Sequence, residues 1–197
     1  AYIDTLSEAQ KVLVDQLGGA LFPIADDVKI QVEFNPAQIA EYRLIGYETR
    51  SLRREDFNND KVDAGDIGAG HQVTALYEVT PVGSPAQLSD PLRYGAADSV
   101  ANTNDELGFL RLRYKAPGSD NSQLIEAPIN VGTTQADAGF ASAIAGFGQL
   151  LRGSPYVGDW SYADAIALAN ATKGDDPFGY RAEAIQLMRL AASLSRN

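Results

Sequence analysis

Between residues 28 and 35 polar and apolar side chains alternate without a break. Val28, Ile30, Val32 and Phe34 stand against Lys29, Gln31, Glu33 and Asn35. Successive side chains of a strand point to opposite faces, so this run predicts a half-buried β-strand with one wet face. Asn35-Pro36 ends it, because proline has no ladder donor to give. Glu41 to Glu48 predicts a second strand. Its apolar residues fall on both faces, Tyr42 and Leu44 on one and Ile45 and Tyr47 on the other, which suits a more central place. Val73, Ala75, Tyr77 and Val79 form one face of a third. The spacing leaves no room for the crossover helices that parallel strands need, so the sheet is read as antiparallel.

The rest of the chain is ordered around this region. Residues 1–19 predict a helix: Thr5 with Glu8, or Ser7 with Gln10, fits a capping box, Leu6, Ala9, Leu13 and Leu17 share a face, and Gly18-Gly19 stops it. Residues 82–107 form a long polar connection without periodicity, which reads as a surface loop. A fourth strand, Gly108 to Lys115, sets Leu110, Leu112 and Tyr114 against the basic row Arg111, Arg113 and Lys115. That row is expected to pair with acids such as Glu33, Glu48 or Glu78 on neighbouring strands. Pro117-Gly118 turns the chain into a fifth strand, Gln123 to Val131. From Thr133 the period becomes helical. Phe140, Ile144, Phe147 and Leu151 make one core-facing stripe, and Gly139, Gly146 and Gly148 require that helix to draw its stability from close packing. Ser161 with Asp164 starts a second helix, and Ile185, Met188 and Ala192 line a third.

Composition narrows the function. The chain has 26 acidic and 16 basic residues, a formal net charge of −10, and no basic cluster. Such a surface repels phosphate backbones and anionic lipid, so neither nucleic acid nor a membrane surface is expected as a partner. With no cysteine, thiol catalysis and thiolate metal sites are excluded.

The candidate chemistry concentrates in the acidic loop from Asp56 to Ile67. Oxygen side chains at alternate positions, Asp56, Asn58 and Asp60, with Asp66 closing, are what a hard cation such as calcium takes from an EF-hand loop. Lys61 stands where the turn glycine belongs, and Ile67 where the bidentate acid belongs. The plainer alternative is an ordered loop whose Asp and Asn side chains cap its own amides. His71 is the one histidine, and no serine sits in a Gly-x-Ser-x-Gly elbow, so a catalytic triad has little to draw on. Nothing in the spacing selects two carboxylates as an acid/base pair. Trp160, flanked by Tyr156 and Tyr162, is read as a buried anchor at a helix start.

DVKIQVEFNPAQIAEYRLIGYETR, EDFNNDKVDAGDIGAGH, VTALYEV, FGQLLRGSPYVGDWSYADAIALA and GYRAEAIQLMRLA together resemble the C-terminal domain of bacterial von Willebrand factor type A domain proteins, largely envelope lipoproteins. The resemblance covers nearly the whole chain. It implies a bacterial envelope location, periplasmic or lipid-anchored, with membrane attachment only through a lipid anchor outside this chain. It also implies a binding or scaffolding role without catalysis, with the protein's own type A domain and a further protein as partners. Residues 1–25 are similar to the last helix of a type A domain, and the Asp-x-Ser-x-Ser adhesion motif of such domains is absent.

The expected fold is therefore α+β. An antiparallel β-sandwich-like sheet region (26–131) follows the trailing helix (1–25) and precedes a C-terminal three-helix subdomain (132–197). Its expected function is that of a protein-interaction or scaffolding module with no cofactor. The alternative is a calcium-stabilised binding module using the 56–66 loop.

Overall fold

The computed structural model describes residues 3–15, 17, 21–46, 52–90, 106–132 and 136–195. Expectations for Gly18-Gly19, for Tyr47 and Glu48, and for most of the 82–107 connection lie outside these residues. The fold is α+β, with two antiparallel sheets and helices mostly at the C-terminal end. The chain divides into two compact units, residues 9–132 and residues 2–8 with 133–197.

Among the described residues the first unit holds six strands. In the larger sheet the order is β3-β1-β5-β6, formed by β1 (Pro23–Phe34), β3 (Gly65–Gly68), β5 (Glu106–Lys115) and β6 (Ser122–Asn130). The smaller sheet pairs β2 (Ile39–Ile45) with β4 (Leu76–Pro81). Sequence reasoning expected five strands. The sixth, β3, has four residues, Gly-Asp-Ile-Gly, too few to carry an alternation. β4 starts at Leu76 rather than Val73. Phe34 joins the sheets through Tyr42, with ring centroids 4.6 Å apart, and Tyr77, at 5.3 Å. The Asn35 side chain makes the corner, accepting from the Ala37 amide and donating to the Glu106 carbonyl. Gly108 lies against β1 there: a methyl on it would come within 2.6 Å of the Glu33 carbonyl oxygen.

In the second unit α2 (Ala136–Leu151), α3 (Tyr162–Ala171) and α4 (Tyr180–Leu194) surround a core of Phe140, Ala143, Ala165, Ala169, Ile185 and Met188. Trp160 packs against it, half-buried, as an anchor just before the cap of α3. The Ser161–Asp164 capping box is present in both directions. At α4 the cap comes from a residue the sequence did not single out. Asp176 accepts from the Arg181 and Ala182 amides, placing a carboxylate at the positive end of the helix. Arg181 ties the helices together, donating to Asp137 on α2 and to the Lys173 carbonyl after α3, with its guanidinium over the Phe140 ring.

The N-terminal segment opens with α1 (Leu6–Gln10), whose Glu8 amide donates to the Thr5 hydroxyl, and continues as a π-helical turn, Lys11–Asp15. The widened turn breaks the face that Leu6 and Leu13 would share in a regular helix. Among the described residues no helix is long and apolar enough to cross a membrane.

Candidate functional site

The acidic loop is an ordered element laid over the larger sheet. Its 3-10 turn, Arg54–Asn58, drives Phe57 inward, one of two buried apolar side chains described in the sheet unit, the other being Ile39. With that anchor in place, the loop's oxygens come down onto the polar face of β1 and β5. Asn59 caps the loop's own backbone, its side-chain oxygen accepting from the Lys61 amide, as the plainer sequence reading expects.

Cations meet these oxygens, and they belong to the protein. Lys29 of β1 is only 3% exposed, and its ammonium donates to the Asn59 carbonyl. Lys115 of β5 donates to the Asp60 carbonyl at 2.8 Å and to the Asp27 carboxylate at 2.6 Å. Arg113 reaches Asn58 Oδ1 at 3.4 Å. A buried ammonium needs oxygen partners as much as a metal ion does. The basic row of β5 therefore does pair with acids and carbonyls, though among the described residues these are not Glu33 or Glu78. Arg111 pairs with Glu126 on β6 at 3.1 Å, while Glu78 is taken by Arg43 on the neighbouring β2.

Asp27 is the hub, and sequence reasoning missed it. It sits where the register of β1 shifts against both neighbours, with φ of 52°, a left-handed conformation that aspartate tolerates better than most residues. Its carboxylate accepts from the Ala64 amide at 3.1 Å as well as from Lys115, and its own amide donates to Asp66 at 3.2 Å. The available signal was the pair Asp26-Asp27, which interrupts the strand pattern just before the alternation begins.

The four candidate metal ligands are thus placed separately. Asp56 lies in the 3-10 turn, and Asn58 faces Arg113. Asp60 is held below the usual carboxylate range by Ser122 and by the charges of Arg113 and Lys115. Asp66 accepts from the Asp27 amide. Among the described residues no three histidine or acidic side chains form a group able to hold a metal ion. His71 is exposed, and its amide closes a turn onto the Gly68 carbonyl. A shallow hollow of about 220 Å³ is lined by Glu33, Phe34, Pro36, Glu106 and Phe109, with His71 outside it.

The Asp27–Lys115 pair gives the loop a pH signature. Lys115 and the Ala64 amide hold the Asp27 carboxyl below its ordinary value of 3.8. A depressed folded value contributes stability above the unfolded value, lost as pH falls through the folded one. Lys115 is raised above its ordinary 10.5 by Asp27, so its contribution persists until strongly alkaline pH. Acid melting curves below about pH 4 should therefore fall more steeply for the native chain than for Asp27→Asn. Asparagine also accepts the left-handed backbone, so the variant removes the charge and one of the two oxygens that accept from Ala64 and Lys115, and leaves the backbone unstrained. Parallel curves would contradict the assignment.

Comparison with known proteins adds the family. The family described as "Uncharacterized protein YfbK, C-terminal" matches residues 19–194. The uncharacterized protein YfbK of Escherichia coli (strain K12) is 49% identical over 195 residues, covering 97% of this chain. The chain spans about a third (34%) of the length of that curated relative. No solved structure matches.

Proposed function

Because this chain belongs to the family of YfbK C-terminal domains, we propose that it is a non-catalytic protein-interaction or scaffolding module. On this reading the longer polypeptide carries a von Willebrand type A domain and resides in the bacterial envelope, periplasmic or lipid-anchored. The observation that carries the proposal is the apolar surface of the N-terminal segment. Leu13, Val14, Leu17, Leu21 and Phe22 of the sheet unit are all exposed, Phe22 at 65%. A run of large apolar side chains this dense is not ordinary scatter on a surface. It marks a segment that another body covers. The type A domain is the occupant this reading supplies, since residues 1–25 resemble that domain's last helix.

Titration calorimetry of the chain against the separately produced type A portion of the longer polypeptide tests this. The expected result is saturable binding that Leu13→Asp with Leu17→Asp abolishes while the circular dichroism of the chain is unchanged. Absence of binding, or binding indifferent to both substitutions, would overturn the proposal.

A further inference from the structure

Among the described residues the larger sheet has two edges, and they are not alike. On one side β3 is four residues long, a length at which an edge pairs poorly with strangers. On the other, β6 runs for nine residues and carries Leu124 and Ile125, 47% and 50% exposed, one on each face. Long apolar edges are templates for a further strand unless charge, proline or a bulge blunts them. In β6 the one charged side chain, Glu126, is engaged by Arg111, and Pro128 stands near the far end.

Pro128 shows which backbone groups are free. It lies opposite Phe109 of β5, and a proline is accommodated in a sheet where its missing N–H would point outward. Backbone direction alternates along a strand, so Ser122, Leu124 and Glu126 point their N–H and C=O outward with it. The Ser122 amide agrees: it turns away from β5 and donates to Asp60 at 3.5 Å. Leu124 and Glu126 are left with the outward groups of the edge.

We propose that a second copy of this chain adds to the β6 edge, antiparallel and centred on Ile125, so that two four-stranded sheets become one. This register sets Leu124 opposite Glu126 of the second copy, with reciprocal main-chain hydrogen bonds on each side of the axis. It brings Ile125 against Ile125 of the second copy. Within one chain Ile30 is opposite Leu112, and Leu112 is opposite Ile125, so the apolar row that now ends half-exposed at Ile125 runs on into the second copy. Charge and the Ser122 amide favour the same register. A shift to an axis at Glu126 would oppose Glu126 to Glu126, a like-charge pair, whereas a shift to an axis at Leu124 would set Glu126 against Ser122, whose outward amide already donates to Asp60. Here each Glu126 keeps its own Arg111 and faces a leucine. The inference is independent of the type A partner, since it uses a different surface.

Sedimentation equilibrium of the whole chain tests it, beside Leu124→Pro and Ile125→Lys. Proline at 124 removes an outward N–H and leaves the β5 ladder intact, while lysine at 125 opposes two ammonium groups at the axis. The native chain is expected to approach twice its 21.1 kDa with rising concentration, and both variants to stay at one chain length with native circular dichroism. Should Leu124→Pro fail to fold, Ile125→Lys, at a half-exposed site, decides alone. A native chain that stays single at every concentration, or folded variants that pair as the native chain does, would overturn the proposal.

Discussion

Gly146→Ala is expected to destabilise the helical unit by about 1–3 kcal/mol, the cost of overpacking a filled core. Helix propensity alone gives the opposite sign, because alanine at an exposed interior position favours a helix by about 1 kcal/mol over glycine. The contact decides. A methyl on Gly146 would stand inside the six-membered part of the Trp160 indole, so the ring must leave its place against α2. Trp160 lies just before Ser161, the cap of α3, and moving it disturbs both the packing between the two helices and that cap. Urea unfolding of the whole chain measures the effect, and a double-mutant cycle assigns it. In a Trp160→Ala background the alanine should become neutral or stabilising. A Gly146→Ala chain as stable as the native one would show that Trp160 does not lie there.

Met188→Ala is expected to cost about 2–5 kcal/mol. Met188 is 0% exposed, the largest fully buried side chain described, and meets residues of the core from α2 and α3. The adjacent Leu187→Ala provides the contrast. Leu187 is exposed, so its truncation should stay within about half a kcal/mol. Equal effects at the two positions would mean that α4 is rotated from the face it presents to the core. Each kcal/mol corresponds to about 4–8 °C in melting temperature for a unit of this size.

These two sites show what the sequence could and could not say. The stripe containing Ile185 and Met188 was legible, because a 3.6-residue period points one face inward wherever the helix packs. The capping box at Ser161 was legible as well, since all of its chemistry lies within four residues. Gly146 was legible only as a weakness that packing had to repair. That Trp160, fourteen residues on, makes the repair is a long-range fact. In the sheet unit the alternations of β1 and β5 marked those strands, the Pro117-Gly118 turn pointed to β6, and the short spacing between strands implied their antiparallel sense. β3 escaped because four residues flanked by glycines carry no period.

The acidic loop was legible as a place, and its packing on the sheet was not. Asp56, Asn58, Asp60 and Asp66 read as ligands because the sequence shows the loop's oxygens without showing what lies beneath them. Lys29 lies 30 residues from its partner Asn59, and Lys115 lies 55 from Asp60, separations that no local spacing reveals. Register brings them there: Lys29 is paired with Arg113, and Asp26 with Lys115, which lines the basic groups up under the loop. Asp27 stayed hidden for a related reason, since its role comes from a left-handed backbone at a register shift. Its residue type alone does not announce that geometry.

The claim that the loop is closed by the protein's own ammonium groups is tested most directly by melting the chain with excess calcium and with chelator, beside Asp60→Ala. An ion that binds only the folded state raises stability by about 2.7 kcal/mol at a hundredfold excess over its dissociation constant. The structure predicts coincident curves for the native chain, because Lys29 and Lys115 already hold the carbonyls of Asn59 and Asp60. A calcium-dependent rise that Asp60→Ala abolishes would contradict it and make the loop a metal site.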